Sequence, residues 1–307
     1  MPLLKAMTQI LGIVKEGKLI PEDLWIKFVS SLENNFENLE TNNERAKRNV
    51  AEAVVNAVKK RVTQRFGILF SGGVDSSLIA FVCKQLKCSF TCYTVGIEGS
   101  DDIQWAKRVV DEYGFDFKYK ILNLNDLELI LKSVIKVLND ADIVKASVGS
   151  VLYAAGKLAI SDNNNILFGG LGSEEIFAGY QRHETALQSS NFESLHKECW
   201  NGLKNMWARD LIRDFAIAKH LNLELRAPFL DKDLIKTAMQ VHPMLKLDKD
   251  NKKIILREAA EFIGLKKEFA WRKKQAAQYG SNFVNGIEKL AKKNGFKFKK
   301  DYLQSLL

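Results

Sequence analysis

A glycine- and serine-rich turn follows directly after a short apolar run, and this junction holds the residues best suited to phosphate chemistry. The run is Phe66–Phe70 and the turn is Ser71–Ser77. Gly72 and Gly73 let the backbone approach a ligand closely, and the N–H groups at the start of a following helix attract anions. Five residues of the turn are therefore expected to hold phosphate groups: Ser71, Gly72, Gly73, Ser76 and Ser77.

A carboxylate lies within the same turn and indicates what else the site contains. Asp75 would repel phosphate unless a cation lies between them, and Mg2+ that bridges a carboxylate and phosphate oxygens removes this conflict. The turn is not a Walker loop, because the string Gly-x-x-x-x-Gly-Lys-Ser/Thr occurs nowhere in the chain. The residues therefore predict a magnesium–phosphate site of another kind.

A second glycine-rich segment, Gly169–Tyr180, also follows an apolar run. Glu174 and Glu175 are adjacent in it, so their side chains diverge and only one of them is expected to reach a shared metal ion. Paired acids in a first helical turn are also favourable partners of the helix dipole. Taken together with Asp75 on a neighbouring strand end, a shared Mg2+ site of Asp75 and Glu174 is the preferred interpretation.

Two further segments are informative only in combination with the first two. Leu225–Asp231 contains Pro228, which ends the preceding helix, and Asp231, which can cap the next one. Trp271–Ser281 contains Lys274, a compact charge that could stabilise a departing pyrophosphate. Alone, the first segment is a loop and the second is surface charge.

The elements that must position these segments alternate along the chain. A helix is predicted from a capping box of Thr41 and Glu44 onward, and another after Pro21. Strands and helices are then predicted in turn over Phe66–Phe70, 75–86, Phe90–Ile97, Asp101–Tyr113, Phe117–Leu122, 125–138, 146–160 and Ile166–Gly169. This alternation predicts an α/β fold, a parallel twisted sheet with helices on both faces, whose ligands bind at the carboxyl ends of the strands. No convincing strand follows residue 190, so a mainly helical C-terminal part is expected.

Composition limits the location and the partners. The chain has 307 residues, 46% of them apolar, and four cysteines without a Cys-x-x-Cys pair, which indicates thiols in a reducing compartment. The N-terminus lacks the apolar region of a signal peptide, and no apolar stretch is expected to span a bilayer. We therefore expect a cytoplasmic protein without a membrane partner.

Positive charge is concentrated near the C-terminus. Residues 241–307 contain 14 lysines and 2 arginines against 7 acidic residues, an excess equal to the +9 of the whole chain. Residues 284–307 are expected to form a basic tail, in which lysines surround Phe296, Phe298 and Tyr302. Such a tail can follow a nucleic-acid backbone; it can equally be a solvated helix end or attract an anionic ligand.

In this order and spacing, the four segments resemble the synthetase domain of the asparagine synthetase family, one of the N-type ATP pyrophosphatases. The matching strings are Ser71–Ser77, Gly170–Tyr180, Arg226–Asp231 and Arg272–Gly280, with a further lysine-to-arginine step over residues 252–257. The resemblance covers residues 45–283, preceded by a helical extension over 1–44. It implies an adenine nucleotide α-hydrolase-like fold.

The resemblance also implies a two-step reaction. A carboxylate attacks the α-phosphorus of Mg-ATP to give an acyl-adenylate and pyrophosphate, and ammonia then displaces AMP to give an amide. By position, the implied roles are pyrophosphate binding by Ser71, Gly73, Asp75 and Ser76; adenosine contact by the backbone of Val95 and Gly170; Mg2+ binding by Asp75 and Glu174; and charge stabilisation by Lys274. Arg226, Lys145 and Glu175 are candidate contacts to the substrate.

Three departures from the family pattern affect these expectations. Pro2 stands where the glutaminase nucleophile of full-length enzymes would be, so ammonia is expected to come free or from a separate donating subunit. Leu171 replaces a family glutamate and can do no acid–base work, and Glu174 replaces an aspartate. Leu171, Arg213-Asp214 and Tyr180–His183 are closest in pattern to the divergent asparagine synthetase domain-containing proteins. His183 is expected to be structural.

Three functions follow as hypotheses. The first is an ATP-dependent, AMP-forming ligase that adenylates a carboxylate and transfers ammonia. The second applies the same adenylation to a carboxylated tRNA base, with tRNA held by the basic C-terminal part. The third is a nucleotide-binding interaction protein without turnover. The acceptor, the ammonia source and the oligomeric state are not determined by the sequence.

Overall fold

A five-stranded, fully parallel sheet forms the centre of the protein, in the order β5-β4-β3-β6-β7. The computed structural model describes residues 14–15, 18–189, 191–273 and 276–307. The strands are β1 (Val14–Lys15), β2 (Lys18–Leu19), β3 (Phe66–Leu69), β4 (Phe90–Ile97), β5 (Asp116–Leu122), β6 (Ile166–Phe168) and β7 (Glu224–Arg226), of which β1 and β2 form a separate antiparallel pair.

Helices cover both faces of the sheet. Up to β6 they are α1 (Glu22–Ser30), α2 (Asn43–Lys59), α3 (Val74–Gln85), α4 (Asp101–Tyr113), α5 (Leu124–Leu138) and α6 (Ile143–Ser161). After β6 they are α7 (Ser173–Ile176), α8 (Gln181–Ser189), α9 (Phe192–Met206), α10 (Ile212–Leu221), α11 (Lys232–Gln240), α12 (Ile254–Ile263), α13 (Lys267–Ala270), α14 (Ala277–Gly280), α15 (Phe283–Lys293) and α16 (Lys299–Gln304). A π-helical turn, Trp207–Leu211, links α9 to α10.

The central strand β3 is packed against helices on both faces of the sheet. Phe66 and Ile68 are fully buried against α2 and α3, whereas Leu69 packs towards α5 and α6 on the other face. A strand buried on both faces belongs to a parallel sheet covered by helices on each side. The predicted fold class is therefore confirmed.

The position of β3 determines where a ligand can bind. β3 pairs with β4 on one side and with β6 on the other, so the strand order reverses at this point. The turn after β3 and the loop after β6 therefore face each other at the carboxyl edge of the sheet. Crevices at such reversal points are the usual ligand sites of open parallel sheets.

Two local predictions are wrong. β7 was not expected, because a three-residue strand shows no period and because two of its residues are charged: Glu224 and Arg226 form a buried ion pair at 2.6 Å. Helix α2 is capped by Asn42, which accepts from the Arg45 N–H at 2.9 Å, and Thr41 does not begin a capping box. Asn and Thr are both good caps, so their order in the sequence did not decide the helix start.

The C-terminal residues expected as a tail are part of the core. Helices α15 and α16 bury Ile287, Leu290, Tyr302 and Leu303 against α5, α6 and the end of β4. Lysines lie on their outer side, so the positive charge is carried by a folded surface. The expected domain boundaries at residues 44 and 283 stay a prediction.

Helix α6 corrects the expectation about apolar segments. By length and composition alone it could cross a membrane, but more than half of it is buried inside the protein. Gly149 and Gly156 on this helix approach Ile217 and Leu223, as expected of a helix in a protein core. Cys83, Cys92 and Cys199 are buried and free, and burial raises the pKa of their thiols.

Candidate active site

The turn after β3 has a shape that only glycine allows at its second position. Gly72 has a φ of +68°, and a Cβ there would lie 2.8 Å from the carbonyl carbon of Trp105. The Ser76 hydroxyl lies 3.3 Å from both the Ser71 N–H and the Gly73 carbonyl and holds the turn closed. The first N–H groups of α3 then have no acceptor within the helix and point into the turn.

The loop after β6 meets this turn directly. A Cβ on Gly170 would lie 2.9 Å from the Cβ of Asp75, so the two loops approach closely only because residue 170 is glycine. The Ser173 hydroxyl donates to Asp75 Oδ1 at 2.5 Å. The two segments that the sequence singled out therefore face each other across one crevice.

Lys253 joins the two carboxylates that were expected to share a metal ion. Its ammonium donates to both oxygens of Asp75 at 2.9 Å and lies 2.7 Å from Glu174 Oε1. Burial alone would lower the pKa of Lys253, but the attraction of Asp75 and Glu174 is stronger and raises this pKa above its usual value. Asp75 and Glu174 are thus close enough to bind the same cation.

Glu175 points away from Glu174, into the protein. It is 1% exposed and pairs with the guanidinium of Arg209. Burial raises the pKa of Glu175 to about 7, although Arg209 lowers it in part. Glu175 therefore does not line the crevice and instead forms an ion pair with Arg209.

A cavity of about 390 Å³ extends from the turn along the carboxyl edge of the sheet. Ser71, Asp75, Ser76, Gly170 and Glu174 line the end of the cavity at this turn. One wall is apolar and is formed by Leu69, Val95, Val144, Val148, Val151, Leu152 and Ala155. The wall can take an aromatic base and includes Val95, whose contact with adenosine stays a prediction.

The other end of the cavity carries both signs of charge. The guanidinium carbons of Arg182 and Arg209 lie 4.1 Å and 5.1 Å from the centre of the Tyr180 ring. Arg213 pairs with Asp210 at 3.3 Å and with Asp214 at 2.7 Å. Leu171 also lines the cavity.

Lys274 lies outside the described residues, but the segment on each side of it reaches the site. Arg272 pairs with Asp101 at 2.7 Å and with Asp102 at 3.0 Å, and it donates to the Ser71 carbonyl. After the gap, residues 276–278 line the cavity. The role of Lys274 stays a prediction.

Comparison with known proteins agrees with this geometry. The profile of the asparagine synthase family matches residues 49–195 and 187–295. The chain belongs to the asparagine synthase family. A Methanocaldococcus jannaschii protein assigned as a glutamine-hydrolysing asparagine synthetase is 33% identical over 291 residues, which cover 84% of this chain and 53% of that protein. The human glutamine-hydrolysing asparagine synthetase is 34% identical over 275 residues, 85% of this chain and 47% of the human one.

The chain thus spans about half the length of these asparagine synthetases. Among solved structures, NMN synthetase from Francisella tularensis aligns with a TM-score of 0.39 and 12% identity. The alignment covers 80% of this chain and 87% of the NMN synthetase chain. An NH3-dependent NAD synthetase from Campylobacter jejuni gives a TM-score of 0.36, also at 12% identity. Both similarities are too low to bear on function.

Two of the expected substrate contacts are engaged elsewhere in this family member. The Lys145 ammonium pairs with Asp140 at 2.8 Å, and Lys145 is not among the residues that line the cavity. The guanidinium of Arg226 binds Glu224 and the Arg61 carbonyl, although the residue borders the cavity. His183 is buried and accepts from the Tyr180 N–H at 3.1 Å, and burial lowers its pKa to about 3, as a structural role requires.

Sequence reasoning assigned no role to Lys253 or to the Tyr180–Arg209 end of the cavity. Lys252 and Lys253 are adjacent lysines before an apolar run, a pattern typical of surface charge. Lys253 turns inward because its φ is +57°, which the sequence does not reveal. The lysine-to-arginine step over residues 252–257 was a signal for this segment, and the glycine at 179 is another, since a Cβ there would lie 2.5 Å from the Lys253 Cε.

Two carboxylates and a nearby phosphate cradle are the donor set that Mg2+ prefers with nucleotides, since this ion is usually held by one or two carboxylates plus phosphate oxygens. The ammonium of Lys253 already stands between the carboxylates as a cation. Among the described residues, no group of three or more His, Cys, Asp or Glu side chains could hold a metal ion. Asp75 and Glu174 fit the carboxylate part of such a donor set, because together they already hold one cation.

Proposed function

We propose that the protein is a cytoplasmic, ATP-dependent and AMP-forming ligase that adenylates a carboxylate and transfers ammonia to give an amide. The observation that carries the proposal is the meeting of Asp75 and Glu174. They come from two loops that are distant in sequence, yet both contact the Lys253 ammonium, at 2.9 Å and 2.7 Å. Beside them lie a glycine turn at a helix start and an apolar wall sized for a base.

In the first step, the backbone of the 71–77 turn and the hydroxyls of Ser71 and Ser76 bind the β- and γ-phosphates. The apolar wall at Val95 holds the adenine, which leaves the α-phosphorus near Gly170. A carboxylate oxygen of the acceptor attacks this phosphorus, and the bond to the bridging oxygen breaks, so that pyrophosphate leaves with the bonding electrons. Asp75 and Glu174 would hold Mg2+, which neutralises charge on the phosphates when it is bound.

In the second step, ammonia attacks the acyl carbon, and AMP leaves with the electrons of the acyl–oxygen bond. The nitrogen loses one proton to the phosphate of the leaving AMP or to water, because Leu171, at the position of the family glutamate, cannot accept it. The acceptor would occupy the end of the cavity between Leu171 and Tyr180, where Arg182 and Arg209 can face a carboxylate. The identity of the acceptor carboxylate and the source of the ammonia are both part of what we propose.

Pyrophosphate release tests the proposal. The protein is incubated with Mg-ATP, ammonium chloride and a panel of carboxylic acids that includes aspartate. We expect equimolar pyrophosphate, AMP and amide with at least one acid. Asp75→Ala should abolish all three products, whereas Asp111→Ala, an exposed acid on α4, should not.

The proposal fails if folded protein binds Mg-ATP and releases no pyrophosphate with any acid of the panel. That outcome would favour a nucleotide-binding protein without turnover. It also fails if the Asp75→Ala variant releases pyrophosphate as fast as the unchanged protein.

A second candidate acceptor is a carboxylated tRNA base, which one observation supports. Five lysines on α15, on α16 and in the loop between them are exposed, and Phe298 in this loop is 58% exposed: Lys289, Lys292, Lys293, Lys297 and Lys300. Lysines beside an exposed aromatic ring suit a nucleic-acid backbone and an unstacked base.

Salt dependence tests this second candidate. We expect tRNA affinity to fall steeply as salt rises, because the lysines release counterions from phosphates. Lys292→Ala with Lys293→Ala should reduce the slope by about 2, whereas Lys249→Ala, away from this surface, should not. Affinity that is independent of salt would refute RNA binding by this surface.

A further inference from the structure

Lys253 is held in the candidate site by its backbone as well as by its charge. It has a φ of +57° at the start of α12, in the left-handed region that residues other than glycine adopt at a cost in strain. The Ile254 N–H donates to the Lys246 carbonyl at 2.9 Å, and the Arg257 guanidinium donates to the Lys252 carbonyl at 2.7 Å. These bonds fix the turn that points Lys253 inward.

The neighbouring glycine makes room for this lysine. A Cβ on Gly179 would lie 1.7 Å from Glu174 Oε2 and 2.5 Å from Lys253 Cε. A side chain at residue 179 would therefore have to displace the ends of the Lys253 and Glu174 side chains from these positions. Strain at one residue and a glycine at another indicate that the contact is a built feature of the site.

The ammonium takes the place between the carboxylates. Four oxygen atoms lie within 3.3 Å of Lys253 Nζ: both from Asp75, one from Glu174 and one from Ser173. The Lys253 side chain is only 6% exposed. A cation that comes to these carboxylates must therefore move the ammonium, and it meets a buried positive charge while it does so.

We propose that Lys253 is a built-in counter-cation that closes the Asp75–Glu174 pair to a divalent metal ion arriving alone and opens it to one arriving with nucleotide. The inference rests on the proposed function, because it takes the pair as the metal site. A free divalent ion would face the like charge of Lys253 at close range, which is unfavourable in a buried site. Phosphate oxygens bring the negative charge that can accept the displaced ammonium.

Binding of Mn2+ without turnover tests the inference. The unchanged protein is titrated with Mn2+, and binding is measured by calorimetry and electron paramagnetic resonance. Mn2+ alone should not bind at the concentrations at which Mn2+ binds together with the α,β-methylene analogue of ATP. We expect at least a tenfold difference in Mn2+ affinity between the two conditions. Equal Mn2+ affinity with and without the analogue would overturn the inference, and this comparison needs no variant.

A variant adds a direct test of the residue. Lys253→Met should gain one Mn2+ site in the absence of nucleotide, at least tenfold tighter than in the unchanged protein, and the double variant with Asp75→Asn should lose it. Lys252→Met is the matched control, because Lys252 is the adjacent lysine and pairs with Glu184 at 3.0 Å. A folded Lys253→Met protein that gains no Mn2+ site would overturn the inference.

The two proposals fail in different ways. If the ATP analogue with Mn2+ does not bind at all, the proposed function fails. If the analogue binds but Mn2+ alone binds equally well, only the role of Lys253 fails. If Lys253→Met is too unstable for titration, the comparison on the unchanged protein decides.

Discussion

The guanidinium of Arg272 donates a hydrogen bond to the backbone carbonyl of Ser71, so the segment that precedes Lys274 is tied to the glycine turn. The same guanidinium pairs with Asp101 and Asp102 at the start of α4, and its side chain is fully buried. Arg257 extends the connection, since it donates to the Arg272 carbonyl at 3.1 Å. The turn, α4 and the segment leading to Lys274 are therefore held as one unit.

Arg272→Ala should loosen this unit. We expect a loss of about 3 kcal/mol in the free energy of unfolding, because removing one member of a buried ion pair is strongly destabilising. We also expect weaker binding of the ATP analogue, because the turn loses its anchor. Urea denaturation and calorimetry measure the two effects. Lys273→Ala, at the exposed neighbouring residue, should change neither, and an Arg272→Ala protein of unchanged stability would contradict the prediction.

Gly72→Ala should destabilise the protein and weaken nucleotide binding. The new methyl group would meet the backbone of Trp105 and Ala106 at 2.8–2.9 Å, and the left-handed φ adds strain. We expect the free energy of unfolding to fall by about 3 kcal/mol, and overpacking accounts for about 1–3 kcal/mol of this loss.

Gly295→Ala is the matched control for the glycine turn. Gly295 also has a positive φ, +80°, but its Cβ would meet nothing within 4 Å. The Gly295→Ala variant should lose about 1 kcal/mol in the free energy of unfolding, which is the strain of the left-handed conformation alone. Equal losses for the two variants, measured by thermal unfolding, would show that contact with Trp105 is unimportant.

Glu174 should tolerate shortening better than neutralisation. Glu174→Gln removes the charge that faces Lys253, and we expect ATP–pyrophosphate exchange to fall on the order of 100-fold. Glu174→Asp restores the residue of the family string and keeps the charge, so exchange should stay within about tenfold of the original rate. The ratio of the two exchange rates is the measurement, and a Gln variant as active as the Asp variant would argue against a metal-binding carboxylate here.

Lys246 is buried, no carboxylate among the described residues pairs with it, and its burial should therefore lower the stability of the protein. Its ammonium is fully buried, its hydrogen-bond partner is the Met239 sulfur at 3.7 Å, and burial lowers its pKa to about 8 from 10.5. This difference corresponds to about 3 kcal/mol. Lys246→Met, which has a similar shape without the charge, should therefore stabilise the protein by about this amount at pH 7.

The pH dependence of this gain has a definite sign. Below pH 8 the lysine is charged in both folded and unfolded chains, so the full cost of burial is present and the gain is greatest. Between pH 8 and 10.5 the folded protein holds fewer protons than the unfolded chain, so the original protein gains stability as the pH rises and the difference between the two proteins disappears. Chemical denaturation of both proteins between pH 7 and pH 10.5 measures this pH dependence, and Lys249→Met, a substitution at an exposed lysine, is the control. A gain that is the same at pH 7 and pH 10.5 would contradict it.

The sequence by itself determined the central fold and the identity of the two loops. Most strands and helices between residues 43 and 169 follow from apolar runs: the longer elements show a period, and the short strands β3 and β6 are apolar runs that end at glycine-rich turns. Gly72, Gly73 and Asp75 indicated phosphate and magnesium through residue chemistry alone. Family membership followed from the order of the four strings.

Only the tertiary structure decided what these residues contact. Strand β7 is three residues long and carries a buried ion pair, so no local pattern marks it. Lys253, Lys246 and Arg272 read as surface charge, since a lysine or arginine in a sequence looks the same whether it faces water or a carboxylate. Their burial depends on partners that are distant in the chain, and the free energy of a charge is determined by those partners rather than by its neighbours in sequence.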